Sequence, residues 1–150
     1  MAKIHHAAIC VRDVDASVRF WRDGLGFAEI MDASFDGDWP TLFSADSSHL
    51  RSVFLGDPDD DGGIVELVSF GNEPPIAPSS QIPVEGFFLL SVNCDVEVTL
   101  ARLAELGLGG DPRRISAYGV TMVVVREPSG VRVELIDLPS GRTGPPADAT

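Results

Sequence analysis

The chain has 150 residues, of which 44% are hydrophobic and 23% charged, which is typical of a globular domain. Its formal net charge of −12 argues against nucleic acid or an anionic membrane surface as a partner. No apolar stretch is long enough to span a bilayer, and no secretory signal pattern is present. Two cysteines in an otherwise ordinary chain do not make a disulfide scaffold, so we expect a cytoplasmic protein. The two cysteines, Cys10 and Cys94, have no metal-type spacing and are interpreted as buried structural thiols.

The first half of the chain has the pattern of a strand, a helix and three further strands. An apolar run ends before Asp13, a good N-cap, and apolar residues then recur at helical spacing as far as the glycines at 24 and 26. A Gly-, Asp- and Pro-rich turn at residues 56–63 separates the last two strands. The predicted elements are a strand over 4–11, a helix over 14–25 and strands over 27–31, 50–55 and 64–70.

The second half repeats this order after a stretch rich in proline and serine. Residues 71–83 are predicted to be a linker, because prolines exclude both a helix and an interior strand there. Residues 139–150, rich in Pro, Gly, Ala and Thr, are predicted to be a flexible tail. The predicted elements are a strand over 87–92, a helix that Asp95 caps and Gly107 closes, and strands over 115–117, 121–125 and 131–138.

The two halves are also similar in sequence. The first half ends on "GIVELV" (63–68) and the second on "GVRVELI" (130–136). Likewise "DVDASVRFWRDGLG" near the start of the first half is matched by "DVEVTLARLAELGL" in the second. Internal similarity of this kind implies two copies of one βαβββ unit, each covering the open sheet of the other.

With these motifs the sequence resembles the vicinal oxygen chelate superfamily, which includes glyoxalase I, methylmalonyl-CoA epimerase, extradiol dioxygenases and bleomycin-resistance proteins. The resemblance covers residues 3–138 and is carried by "IHHAAICVRDVDASVRFWRDGLGF", the two "VEL" strand ends and "EPSGVRVELID". It implies an α+β fold in which two tandem βαβββ modules, residues 3–70 and 84–138, form a cupped, half-open mixed sheet within one domain over 1–138. It also implies a small-molecule ligand and a homodimer, but it names no reaction.

The resemblance further implies a metal held by one ligand from the first strand and one from the last strand of each half. His6 matches the first of these positions, and strand alternation directs His5 to the opposite face. Glu66 and Glu134 match the last-strand positions, where a carboxylate between apolar neighbours is costly unless it is paired or bound to a metal. We therefore predict His6, Glu66 and Glu134 as metal ligands. Glu66 and Glu134 are the catalytic candidates, with Glu134 the natural general base.

The fourth ligand position is apolar. Counting back from Val92 puts the expected histidine at Phe87, and counting back from Asp95 puts it at Phe88. Three N/O ligands and a water are enough for a catalytic metal, and they suit Zn, Ni, Mn, Fe or Co without selecting one. Alternatively the metal is lost, or His49 completes the set.

Other side chains are open to two interpretations. Arg132 could neutralise Glu134 in a salt bridge instead of leaving it for chemistry. An aromatic lid over a ligand could be formed by Trp39 and Phe43, although a loop pinned to the core is the commoner explanation for such residues. A further set of side chains could bind an anionic group or simply face solvent: Arg113, Arg114 and Tyr118.

Two classes of function follow from the resemblance. The first is a metal-assisted lyase or isomerase/epimerase that transfers a proton next to a carbonyl of a small organic substrate. The second is a non-catalytic, antibiotic-type binding protein with a lost metal site, in which the protein's acidity would attract a cationic drug. A metal-free enzyme with His6 and Glu134 as an acid–base pair is a third possibility. Extradiol dioxygenase chemistry fits less well, because its iron site needs the missing histidine.

Overall fold

A computed structural model describes residues 1–77 and 82–139 of the chain. The chain divides into two compact units, Met1–Ala77 and Pro78–Thr150. Each unit carries an open, four-stranded mixed sheet and at least one helix, which confirms the α+β class and the tandem βαβββ order. Residues 78–81 of the predicted linker and residues 140–150 of the predicted tail lie outside the described residues. No helix in the described part is long and apolar enough to cross a membrane.

The first unit has the sheet order β1-β4-β3-β2, in which β1 and β4 are parallel and the other pairs antiparallel. The Asp13 side chain accepts a hydrogen bond from the Ala16 backbone N–H at 2.9 Å, so it caps the first helix as predicted. This helix continues directly into a π-helical segment. The elements are β1 (His6–Cys10), α1 (Val14–Val18), the π segment (Arg19–Gly24), β2 (Ala28–Asp36), α2 (Trp39–Phe43), β3 (His49–Gly56) and β4 (Ile64–Ser69).

The segment between β2 and β3 is more ordered than the sequence pattern predicts. Strand β2 extends to Asp36 because it pairs with β3 along its whole length. Helix α2 follows, and its Asp38 cap accepts a hydrogen bond from the Thr41 N–H. The Trp39 ring folds back over Gly37, where a Cβ would lie 2.9 Å from two ring carbons, so only glycine allows this close approach.

The second unit repeats this topology with the sheet order β5-β8-β7-β6. Its edge strand β6 is much longer than predicted and contains Pro112. An edge strand tolerates proline, and the pairing with β7 is irregular between Gly109 and Arg113. The elements are β5 (Leu90–Asn93), α3 (Val96–Glu105), β6 (Gly109–Ala117), β7 (Val120–Arg126) and β8 (Arg132–Ile136).

In each unit one face of the sheet packs against the unit's own helix, and we call the opposite face the open face. Ile9 of β1 and Val11 directly after it are buried on the helix side, whereas Ala8 and Cys10 on the open face are exposed, as strand alternation predicts. Phe20 and Trp21 of the π segment are fully buried in the core of the first unit. The core of the second unit is built by Val96, Leu103, Val123, Val125, Val133 and Leu135. Polar side chains on the open faces are therefore candidates for function.

Candidate functional site

The open face of the first unit brings His6 and Glu66 into direct contact. Strand β1 lies parallel beside β4, and the His6 Nε2 and Glu66 Oε2 atoms are 3.1 Å apart. The Glu66 side chain is only 13% exposed, and a carboxylate so withdrawn from water needs polar partners. Its second oxygen, Oε1, accepts a hydrogen bond from the Ser52 hydroxyl of β3 at 2.6 Å. Both Glu66 oxygens are thus held by side chains of neighbouring strands.

His5 joins this cluster, and the expectation that it faces away from His6 is wrong. The Nδ1 atoms of the two histidines are 2.9 Å apart. Both rings also lie beside Phe54, with centroid distances of 6.2 Å for His5 and 5.4 Å for His6. Strand alternation does not constrain His5, because β1 begins only at His6. The sequence analysis also missed Ser52, which lies on β3 and donates its hydroxyl to Glu66 on the adjacent antiparallel strand β4.

These contacts form one cluster on the open face of the first unit. His5 and His6 share a hydrogen bond between their Nδ1 atoms, in which either ring can donate, depending on the tautomers. His6 Nε2 lies against Glu66 Oε2, and the Ser52 hydroxyl donates to the other Glu66 oxygen. The cluster therefore orients the His6 ring and the Glu66 carboxylate.

The donor set of the first unit fits part of a metal site. Two ligands bound about 2.1 Å from one divalent ion are themselves roughly 3.0–3.5 Å apart, and His6 Nε2 and Glu66 Oε2 have this spacing. Hydrogen bonds to the far sides of metal ligands, here from His5 and Ser52, are a regular feature of such sites. Within either unit, however, the described residues include no group of three or more His, Cys, Asp or Glu placed to hold an ion. The first unit alone therefore supplies two ligands.

Glu134 occupies the corresponding position of the second unit. It lies on β8 directly opposite Ser91 of β5, and its Oε2 accepts a hydrogen bond from the Ser91 hydroxyl at 2.7 Å. On the same strand face, two residues earlier, the Arg132 guanidinium lies over the Phe88 ring, 5.3 Å from its centroid. The Glu134 carboxylate is thus oriented by a hydroxyl, as Glu66 is.

The strand register identifies the residue that replaces the fourth ligand. Ala8 is paired with Glu66 and Ser91 with Glu134, so Ala8 and Ser91 occupy equivalent positions. His6 lies two residues before Ala8, and its counterpart is therefore Leu89, two residues before Ser91. The two predicted positions, Phe87 and Phe88, are wrong because the connection from β5 to α3 is one residue shorter than that from β1 to α1. The position is apolar in either case.

The side chains proposed as a further metal ligand, His49, and as an aromatic lid, Trp39 and Phe43, contact residues close to them in the first unit. His49 starts β3 and its Nδ1 lies 2.9 Å from Asp36 Oδ1, the residue paired with it on β2. Trp39 stacks on Phe43 at 5.9 Å, and Phe43 contacts the Phe70 ring at 6.1 Å. His49 thus lies against an exposed carboxylate of β2, and the aromatic residues of α2 pack against one another and against Phe70, the residue after β4.

The amino-acid sequence matches the Glyoxalase/Bleomycin resistance protein/Dioxygenase superfamily over residues 3–135. The chain belongs to this superfamily. It is 34% identical over 148 residues to the lactoylglutathione lyase-like protein terB of Aspergillus terreus, covering 91% of this chain and 75% of that protein. The resemblance inferred from the repeated motifs is therefore confirmed.

Solved structures share the glyoxalase fold. A glyoxalase family protein from Bacillus cereus superposes with a TM-score of 0.66 at 18% identity, over 91% of this chain and 94% of that chain. The trypanothione-dependent glyoxalase I of Leishmania major superposes with a TM-score of 0.63 at 21% identity, over 91% of this chain and 87% of that chain. At these identities the likeness establishes the fold and not the reaction.

The two thiols of this glyoxalase-superfamily chain are poor nucleophiles. Partial burial raises the pKa of Cys10, which lies on the open face of β1. Burial also raises the pKa of Cys94, and the charges of Asp137 and Asp95 raise it further. A hydrogen bond with Thr99 lowers this pKa and offsets part of the increase. Because the thiolate is the reactive form, a raised pKa leaves little of it at neutral pH. The prediction that both cysteines are buried is wrong, because Cys10 is exposed and Cys94 is only half-buried. The raised pKa values still argue against a nucleophilic role for either thiol.

We therefore expect a Cys10→Ser variant, which leaves Cys94 alone, to react with iodoacetamide more slowly than glutathione at neutral pH. Its rate should rise with pH through a midpoint above that of a free cysteine, since the folded-state pKa is raised. Removing the hydrogen bond in a Cys10→Ser, Thr99→Val double variant should move the midpoint further upward. Alkylation followed by mass spectrometry across pH measures both curves, and a midpoint below the free-cysteine value contradicts this account.

Proposed function

We propose that this glyoxalase-superfamily protein is a metal-assisted lyase or isomerase that moves a proton on the carbon next to a carbonyl of a small organic substrate. The observation that carries the proposal is the 3.1 Å approach of His6 Nε2 and Glu66 Oε2, each held from behind by a further hydrogen bond. The 34% identical relative is named as a lactoylglutathione lyase-like protein, and a lyase of that kind belongs to the same class of chemistry.

In this proposal His6, Glu66 and Glu134 hold a divalent ion (Zn, Ni, Mn, Fe or Co), with Leu89 in place of a fourth protein ligand. When bound, such an ion polarises a carbonyl oxygen and makes the neighbouring C–H bond more acidic. When His6 Nε2 is a ligand its proton lies on Nδ1, and His5 Nδ1 then accepts the hydrogen bond between the rings. The His5–His6 contact thus serves either tautomer.

The proton itself is carried by a carboxylate. A general base must be oriented toward the C–H bond, and Ser91 orients Glu134 through its hydroxyl while leaving Oε1 available. Glu66 has both oxygens engaged, by His6 and by Ser52, which suits a ligand better than a base. We therefore assign proton transfer to Glu134 and a holding role to Glu66.

A second candidate is a non-catalytic small-molecule binding protein of the same fold. Leu89 supports it, because an apolar residue at a ligand position weakens any metal site. Under either candidate we propose that the protein is a cytoplasmic homodimer that binds a small molecule. Light scattering of the purified protein measures the oligomeric state.

Metal analysis of purified protein tests the first candidate. We expect one divalent ion per chain in the wild type and less than about a tenth of that in His6→Ala and Glu134→Gln, since losing one of three ligands removes most of the affinity. His49→Ala is the matched control, because it also removes a histidine beside a carboxylate, and it should keep the ion. Formation of lactoylglutathione from methylglyoxal and glutathione is the first activity to assay.

A wild-type protein that is stable without metal and does not take it up overturns this assignment. If such a protein also binds small molecules tightly without converting them, the second candidate is correct. Equal metal loss in His49→Ala and His6→Ala likewise contradicts the role given to His6.

A further inference from the structure

The second unit contains a cavity whose charge is opposite to that of the whole protein. It measures about 410 Å³, within the range of roughly 300–1,000 Å³ typical of small-molecule sites. Three arginines, Arg113, Arg126 and Arg132, and one acidic residue, Asp111, line it. The lining therefore carries two more positive than negative charges, in a chain with 11 basic and 23 acidic residues.

The guanidinium groups of two of these arginines retain their charge for a ligand. Arg126 donates from a terminal nitrogen to the Gly130 carbonyl at 2.8 Å, a neutral partner that holds the group without cancelling its charge. Among the described residues, neither Arg113 nor Arg126 forms an ion pair with a carboxylate. A fixed guanidinium fork of this kind suits bidentate binding of a carboxylate.

Strand alternation in β6 separates Arg113 from its neighbour Arg114. Arg113 is paired with Val124 of β7, which also lines the cavity. Arg114 points to the helix side, where it forms an ion pair with Glu97 of α3. Of the two adjacent arginines, one is thus committed to a structural ion pair and the other lines the cavity.

The remaining wall is apolar and partly aromatic. Phe88, Val124 and Pro83 line the cavity, and the Phe88 ring is held by the Arg132 guanidinium above it at 5.3 Å. An aromatic ring backed by a cation presents a flat apolar surface of defined orientation. The cavity thus combines cationic groups with a flat apolar wall.

We propose that this cavity binds a small organic carboxylate with a flat, apolar body. The carboxylate is held by Arg113 and Arg126, and the body packs against Phe88 and Val124. The cationic lining excludes a cationic drug, although the net charge of the protein alone favours one. The cavity adjoins the proposed base, since Val124 is paired with Glu134. Binding of a carboxylate there requires no metal, so its test is separate from that of the proposed lyase or isomerase activity.

Calorimetric titration of the full chain with naphthalene-2-carboxylate tests the proposal, and naphthalene-2-carboxamide provides a neutral probe of the same shape. We expect the carboxylate to bind at least about tenfold more tightly than the amide. Arg126→Gln and Arg113→Gln should each weaken carboxylate binding by about 10- to 100-fold and leave amide binding within about twofold. Arg114→Gln is the matched control: it removes the same charge from the adjacent residue and should leave both affinities unchanged.

Three results overturn the proposal: no carboxylate binding by the wild type, equal affinity for the two probes, or equal weakening by Arg113→Gln and Arg114→Gln. The last would mean that net charge, and not this cavity, governs binding. Arg126 also holds the turn after β7, so thermal unfolding of Arg126→Gln is measured in parallel, and Arg113→Gln carries the test if that variant does not fold. Titration in the presence of a metal chelator should give the same affinities, and a loss of binding there contradicts a metal-free site.

Discussion

A Glu134→Gln variant is expected to form lactoylglutathione, or to turn over whichever substrate is identified, roughly 10²- to 10⁴-fold more slowly than the wild type. Glutamine has nearly the shape of glutamate but cannot accept a proton from carbon. Its amide can still receive the hydrogen bond from Ser91, so the side chain should keep its place beside β5. The rate is measured at saturating metal, so that weakened ion binding and lost proton transfer are separated.

Two further variants sharpen this prediction. Ser91→Ala removes only the hydroxyl that orients Glu134 and should lower turnover by about tenfold, which is the scale of one hydrogen bond. Glu105→Gln, an exposed carboxylate on α3, removes the same charge from the same unit and should leave the rate unchanged. If Glu134→Gln is fully active with metal while Glu66→Gln is inactive, then Glu66 is the base and our assignment is reversed.

Trp21→Ala should destabilise the protein by about 3–5 kcal/mol, a large part of the 5–15 kcal/mol that typically separates folded from unfolded chains. Trp21 is completely buried in the first unit, with Phe20 and Phe27 rings packed against it at centroid distances of 5.3 Å. Truncation removes these ring contacts and leaves a cavity that the rigid sheet beneath it cannot close. Urea denaturation followed by circular dichroism measures the free energy of unfolding.

Trp21→Phe is the informative companion variant. The buried indole N–H of Trp21 has no hydrogen-bond partner among the described residues, so phenylalanine loses ring volume but no hydrogen bond. We expect it to cost clearly less than Trp21→Ala, about 1–2 kcal/mol. A cost equal to that of the alanine variant contradicts this account, because a phenylalanine ring retains most of the buried volume.

Local sequence rules account for most of the fold. Both helix caps, Asp13 and Asp95, lie where the pattern of a short polar residue before a helical apolar stripe puts them. The repeated "VEL" motif places both glutamates on last strands, and strand alternation then directs them away from the helix. These features depend on neighbours within a few residues, which is why the sequence alone is enough to predict them.

The details of the site depend on pairing between distant strands and were not predictable in the same way. His5 could be positioned only by knowing that β1 begins at His6, two residues later than predicted, which leaves His5 outside the strand. Leu89, and not either phenylalanine, is the counterpart of His6 because the β5 to α3 connection is short by one residue. Strand β6 begins six residues before the predicted strand over 115–117 and includes Pro112, which a strand tolerates only at an edge, and its place at the edge is known only from the pairing.

The hydroxyls that hold the two glutamates come from different strands in the two units. Ser52 reaches Glu66 from the antiparallel neighbour β3, whereas Ser91 reaches Glu134 from the parallel neighbour β5. By register, the second unit has Met122 in place of Ser52, and the first has Ala8 in place of Ser91. The feature that the two units share is therefore an anchored carboxylate, whichever neighbouring strand provides the hydroxyl.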